Sequence, residues 1–361
     1  MCRAMIRSVG AGEIFALDAH ASYRCRHSGA CCTAGWTIPV EPRLLPLLSS
    51  TWLQPDEQGT CPQYDCASGL CGLHCSGGEA MLPESCHHFP RRALIDSRGT
   101  SVALSHFCPT AASLLLVNDR PLAVVSMPEA FPASRAYDGL DARGAWPPLL
   151  RPDALFDDES YGCWERYLVG AISTSPVGVH ETLLNVAATA EQLRKWHIER
   201  GTLVDWTNDV LKQRSAPGEA VRHRYARFSG VEAYRRVVDA VPPTLDAPSP
   251  PDDLDQIEAQ WVVPFWAAHE RLALKYVAAK AFASWTAYQS RDIRTQIAEL
   301  FTTAAVLRVE CARTCAAAAA PLDRARLIEA VRRSDLLLMH LVDRDALLPW
   351  LRQAEQDDDA R

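Results

Sequence analysis

Ten of the thirteen cysteines in this chain fall within its first 108 residues: Cys2, Cys25, Cys31, Cys32, Cys61, Cys66, Cys71, Cys75, Cys86 and Cys108. The rest of the chain carries only Cys163, Cys311 and Cys315. Such a density leaves the front segment two solutions, a disulfide framework or ligation of a metal by reduced thiols. The redox compartment decides between them. The opening stretch MCRAMIRSVGAGEIF has no uninterrupted apolar core followed by a small-residue cleavage site. No window approaches the ~18 charge-free apolar residues that span a bilayer. A cytoplasmic setting is therefore expected, where thiols stay reduced and serve metals or redox chemistry; an exported chain would restore the disulfide alternative.

Charge narrows the partners. The net charge is -7 over 361 residues, and lysine occurs only at Lys195, Lys212, Lys275 and Lys280. No basic face offers itself to a phosphate backbone, so neither nucleic acid nor membrane is an expected partner. With 48% hydrophobic residues the chain can bury real cores.

The expected fold class is α+β. Residues 1–126 read as a small, irregular, cysteine-rich metal-binding domain with a short antiparallel sheet. Its strand candidates are Trp36 to Val40 and the run ALIDSRGTSVALSHF, where Ser97 to Thr100 reads as a hairpin turn. Residues 127–152 hold Pro128, Pro132, Pro147, Pro148 and Pro152 and read as a surface connector. Residues 153–353 turn helical, and Leu183, Val186, Ala187 and Leu193 share one expected buried face. Trp261, Phe265, Leu272, Val277, Ala281 and Trp285 recur at helical spacing from Ile257 to Ser290. Two further helices follow, the second opened by Pro321 at a favourable first-turn position. Residues 354–361 read as a disordered acidic tail.

The spacing of the cysteines excludes the simplest sites. There is no C-x2-C knuckle of the zinc-finger type, and Gly78 stands where a third thiol after Cys71 and Cys75 would complete a C-x3-C-x2-C run. The lone G-x-G at Gly10 and Gly12 lacks a third glycine and reads as loop rather than nucleotide site. A dispersed set remains: Cys25, Cys31, Cys32, Cys61, Cys71, Cys86 and Cys108. Soft thiolates from distant segments suit an iron-sulfur cluster, whose several irons accept ligands from many directions, better than a single tetrahedral ion.

The blocks CCTAGWTIPV, CPQYDCASGLCGLHCSGGEAMLPESCHHFPR and LSHFCPTAASLLL resemble the zinc- or iron-chelating cysteine-cluster proteins, and within them the flagellin lysine N-methylase branch. The resemblance covers about 90 residues in matching order, and the helical half is compatible with that branch. It implies a protein-lysine methyltransferase that uses S-adenosylmethionine, carries an iron-sulfur cluster on those seven cysteines and acts on flagellin or another lysine-bearing protein. Zinc is the alternative metal, and a non-enzymatic chelating or sensing protein the alternative function. The family usually carries one more cysteine between Cys25 and the Cys31-Cys32 pair; here that interval is RHSGA, with Ser28 the nearest substitute.

Other residues carry two readings each. Cys66 and Cys75 are spare ligands or small packing residues, and Cys311 with Cys315, four apart on a helix, reads as apolar filler. His74, His87 and His88 could be ligands or bases. Arg91 and Arg92 could bind a carboxylate or form a solvated turn. Tyr64, Asp65, Glu79 and Glu84 are candidates for an acceptor cleft by proximity in sequence alone. Trp261 and Trp285 read as core.

Overall fold

The structure is a computed structural model and describes residues 12–117 and 120–356. Cys2, Gly10 and the Asp357–Asp359 run lie outside the described residues.

A five-stranded sheet organises the front half. Its strands are β1 (Ile14–Leu17), β2 (Arg91–Asp96), β3 (Gly99–Leu104), β4 (Val124–Ser126) and β5 (Gly139–Asp141), in the order β4-β1-β3-β2-β5. The sheet is mixed rather than antiparallel: β1 runs parallel to β3 and β5 parallel to β2, while β2-β3 and β1-β4 are antiparallel. The expected hairpin forms, one residue earlier than the spacing implied. Asp96 pairs with Gly99, which leaves Ser97 and Arg98 as the loop, because the Asp96 carboxylate accepts the Arg98 backbone N–H at 2.8 Å and starts the turn itself. The proline-rich segment supplies one outer strand, β5, and begins directly after the other, β4. Gly139 explains how it can: a Cβ there would lie 2.0 Å from the Ala93 carbonyl oxygen, so only glycine lets β5 approach β2.

Period-2 alternation sorts the side chains of the sheet. Ile14, Ala16, Val102 and Leu104 point to one face, where Tyr23, Cys108, Ala111 and Phe131 complete a small core. Leu17 and Leu94 point to the other and join the main core, which the helices build. Sheet and helices thus share one apolar interior. Polar ties reinforce it: Trp285 Nε1 donates to the Ala93 carbonyl at 3.0 Å, and Arg98 bridges Asp96 and Glu165.

The helices on that face are α1 (Pro109–Leu116), α2 (Asp158–Ser173), α3 (Val179–Leu193), α4 (Glu270–Ala281), α5 (Ile293–Ala318) and α6 (Arg324–Leu336), with shorter ones between them. Asp157, Asp292 and Asp323 cap α2, α5 and α6 through side-chain oxygens, each cap contributing roughly 1 kcal/mol. Leu183, Val186, Ala187 and Leu193 are buried on α3. Pro321 does not open α6; Asp323 does, two residues later. The run from Ile257 to Ser290 is broken. A turn of wider π-type winding at Glu258–Val262 precedes Pro264, which lacks a donor, and Ala283 at φ +53° ends the continuity again after α4. Phe265 is consequently exposed, whereas Trp261 and Trp285 pack on the core. The expected tail begins later than 354: Ala354 is buried and Glu355 accepts from Thr295 at 2.7 Å. No helix among the described residues is long and apolar enough to cross a membrane.

Residues 23–88 form an irregular rim beside the sheet. Two-residue strands Ile38–Pro39 and Trp52–Leu53 pair there, the only remnant of the strand expected from Trp36 to Val40. Ile38, Val40, Leu44, Leu53 and Leu73 make a separate small core under this rim.

Candidate thiol centre

None of the twelve cysteines among the described residues is joined in a disulfide. Five of them meet at the rim. The loop before Cys31 turns at Gly29, whose φ of +70° suits glycine and whose missing Cβ leaves room for the Tyr64 ring; a Cβ would lie 2.4 Å from the Tyr64 hydroxyl. Cys32 N–H closes the turn on the Gly29 carbonyl at 2.8 Å, and Cys61 N–H donates to the Cys32 carbonyl at 2.7 Å. Tyr64 pairs in turn with Cys71 across a two-residue ladder. Backbone bonding thus lashes three separate cysteine segments together. Cys86 arrives on the short helix Glu84–His88, and Cys61, Cys71 and Cys86 all pack against the small core of the rim.

The thiols then act on one another. The Cys31 and Cys32 sulfurs are 3.9 Å apart. Cys32 keeps its proton, pushed far up by hydrogen bonds to Cys31 and Cys71, while those two partners are held below the ordinary thiol value by the same bonds. Cys71 reaches about 6, aided by the backbone N–H groups of His74 and Leu73 at the start of its helix. Cys86 is pushed up to about 12, first by burial and then by the charges of Cys31, Cys61 and Cys71. Burial likewise raises Cys61, with Cys71 and Cys31 adding to it.

The other two matched cysteines sit apart from these five. Cys108 caps α1 within the small core of the sheet, its sulfur 3.9 Å from the Tyr23 hydroxyl. Cys25 is exposed as a residue, and its charge interacts with both Cys31 and Cys108, so it stands between the two groups. Cys66 and Cys75 are exposed. Cys311 and Cys315 are buried in α5 as apolar filler.

The histidines divide differently. His74 lies close enough to Cys71 to lower its pKa and stacks on His27 at 5.3 Å. His87 faces Glu79 and Arg135, and His88 lies 3.3 Å from Glu84. Glu84 also binds Arg43 at 3.1 Å, which makes it part of the scaffold of the rim. Among the described residues, no three histidine, cysteine or carboxylate groups stand in the compact arrangement that holds one metal ion.

A cavity of about 330 Å³ opens beside the thiols, lined by Cys31, Cys86, Trp36, Phe89, Trp285 and Arg91 among others. Asp138 and Arg92 also border it. The buried Arg91 Nε and His88 Nδ1 have no hydrogen-bond partner among the described residues. Behind it, Trp36, Phe89, Phe107 and His340 form a box of rings, with Trp36 4.8 Å from His340. Burial and the charge of Arg92 push His340 down to about 4, and its Nε2 is 2.7 Å from the Ser105 hydroxyl. Sequence reasoning missed this box, since Phe107 and His340 come from segments far apart in the chain.

It also missed a buried polar cluster. Asp335 on α6 accepts the backbone N–H of His106 at 2.5 Å and the Tyr276 hydroxyl at 2.7 Å, and pairs with Lys280 at 2.5 Å; the His106 ring reaches His20 at 3.2 Å. A legible signal was the presence of two lysines, Lys275 and Lys280, among the apolar residues of α4. A further cavity, of about 240 Å³, lies among Val179, His180, Trp266, Glu270 and Phe301, with no thiol in its lining. No family model matches the chain, and neither a curated protein nor a solved structure matches it.

Proposed function

We propose that the rim thiols hold an iron-sulfur centre and that the chain is a protein-lysine N-methyltransferase using S-adenosylmethionine, acting in the cytoplasm on flagellin or another lysine-bearing protein. One observation carries the metal half of this reading: Cys31, Cys32 and Cys71 share hydrogen bonds, with Cys61 and Cys86 inside the same electrostatic neighbourhood. Thiols held below their usual pKa deprotonate readily, and soft thiolates approaching from several directions fit a polynuclear centre. Cys25, whose charge acts on Cys31, extends the donor set, and Cys108 lies beyond it in the small core of the sheet. That no described cysteine is joined in a disulfide is consistent with a reducing setting.

The catalytic half rests on the resemblance and on the adjoining cavity. A sulfonium donor offers a methyl group to a neutral amine held in line and away from water. Trp36, Phe89 and Trp285 present aromatic walls that attract a cationic sulfonium. Arg91 on the cavity wall can pair with the carboxylate of the donor, and Asp138 can accept from its ammonium. The bound cluster would supply an open iron for chelating the amino and carboxylate groups of the donor, or would brace the rim.

A non-enzymatic metal-binding protein is the second reading, favoured by the exposure of Cys25, Cys66 and Cys75, where incoming metal meets thiol first. Anaerobic purification with iron, sulfide and zinc analysis, followed by calorimetry with S-adenosylmethionine, separates the two. Equal iron and sulfide with saturable donor binding is the expected result. A colourless zinc protein that ignores the donor selects the second reading.

A further inference from the structure

A second, smaller cavity of about 70 Å³ lies on the far side of Arg92 and Trp285, which line both spaces. His20, His106, Lys280, Glu299 and Arg344 are the other titratable groups of its lining, beside the hydroxyls of Ser284, Thr302 and Thr303. The charges there do not balance. Lys280 is paired with Asp335 at 2.5 Å, and Arg344 with Glu299 at 2.9 Å. Arg92 is left over: among the described residues its guanidinium makes no ion pair, and it lies 4.1 Å over the Trp285 ring. The charged groups whose fields act on it are Arg344, Asp335 and Glu299. Three cations thus face two carboxylates, and protonation of His20 or His106 would only add to the positive excess.

An unbalanced charge partly withdrawn from water is costly, and a mobile anion can relieve it. The space suits one of small size, being room for about two waters at the ~30 Å³ each occupies in the liquid. Guanidinium offers a planar fork of donors that matches two oxygens of one carboxylate. Trp285 holds the ring beneath that fork in place through its bond to the Ala93 carbonyl.

We propose that this cavity is a binding site for a small monocarboxylate, gripped by Arg92 and neutralising the one positive charge that Asp335 and Glu299 leave uncompensated. The site uses none of the thiols, although it shares Arg92 and Trp285 with the cavity beside them.

The test follows the melting temperature of the full-length protein in rising sodium acetate, against sodium chloride at equal ionic strength. Wild type should show a saturable, acetate-specific rise. Arg92→Gln should weaken the apparent acetate affinity at least tenfold, and Arg92→Lys, which keeps the charge and loses the fork, should recover only part of it. A wild-type response identical in acetate and chloride overturns the proposal, as does an undiminished acetate response in Arg92→Gln. Should the glutamine variant not fold, the lysine variant and acetate line broadening in NMR on wild type decide the same question: wild-type affinity in Arg92→Lys, or no broadening, overturns it.

Discussion

The Asp335 carboxylate joins Lys280, 2.5 Å away on α4, to the backbone of His106 just beyond β3. One buried side chain thus ties two helices to the end of the sheet hairpin. Asp335→Asn keeps the shape and strands the lysine charge. Removing one partner of such a pair costs about 3–5 kcal/mol, so the urea midpoint should fall steeply, while Asp343→Asn at the surface should leave it nearly unchanged.

Acid should weaken the fold in two stages. Burial holds His20 and His340 below the normal imidazole range, so the unfolded chain takes up protons first once the pH drops below about 6.5. Burial alone would raise the Asp335 carboxyl, but Lys280 and His106 outweigh it and hold it well below the usual range. The stability it contributes is therefore present above about pH 4 and lost below. Thermal melts from pH 8 to pH 3 should show both declines.

Metal-free protein should alkylate unevenly. With Cys71 held near 6 it is largely thiolate at pH 7, whereas Cys86 at about 12 is protonated. Brief iodoacetamide treatment read by peptide mass spectrometry should label Cys71 before Cys86, with the rate at Cys71 rising through pH 6. Added metal should protect Cys71.

Metal content should follow the rim and not the cysteine count. Cys31→Ser or Cys71→Ser should lose at least half of the bound metal. Cys66→Ser should retain it. Cys311→Ser should also retain it while costing about 1–3 kcal/mol of stability, because a hydroxyl there enters an apolar helix interior.

Gly139→Ala tests the outer strand. Its methyl would lie 2.0 Å from the Ala93 oxygen, so β5 must shift, with an expected loss of about 1–3 kcal/mol by chemical denaturation. Gly144→Ala, where nothing stands within 4 Å, should be neutral.

Much of this was legible because it is local. The hairpin announced itself by alternation, and α2, α3 and α5 by their apolar spacing. The errors are places where a single residue outvoted its neighbours. Asp96 moved the turn, Asp323 displaced Pro321 as the start of α6, and Pro264 broke a run whose periodicity promised one helix. Parallel pairing of β1 with β3 and β2 with β5 was not legible, since nothing in the residues 14–17 or 139–141 names a partner 86 or 46 positions away. The rim cysteines could be grouped from sequence by segment. Which of them share protons could not, because that depends on Gly29 and Tyr64 folding the Cys31-Cys32 turn onto Cys71.

The apolar knot of Ile38, Val40, Leu44, Leu53 and Leu73 is separate from the interior shared by sheet and helices. On the proposed reading, the thiol-bearing margin could therefore loosen, take up metal and tighten again without disturbing the scaffold beneath it. Loss of that metal to oxygen or to chelators should then be reparable in place.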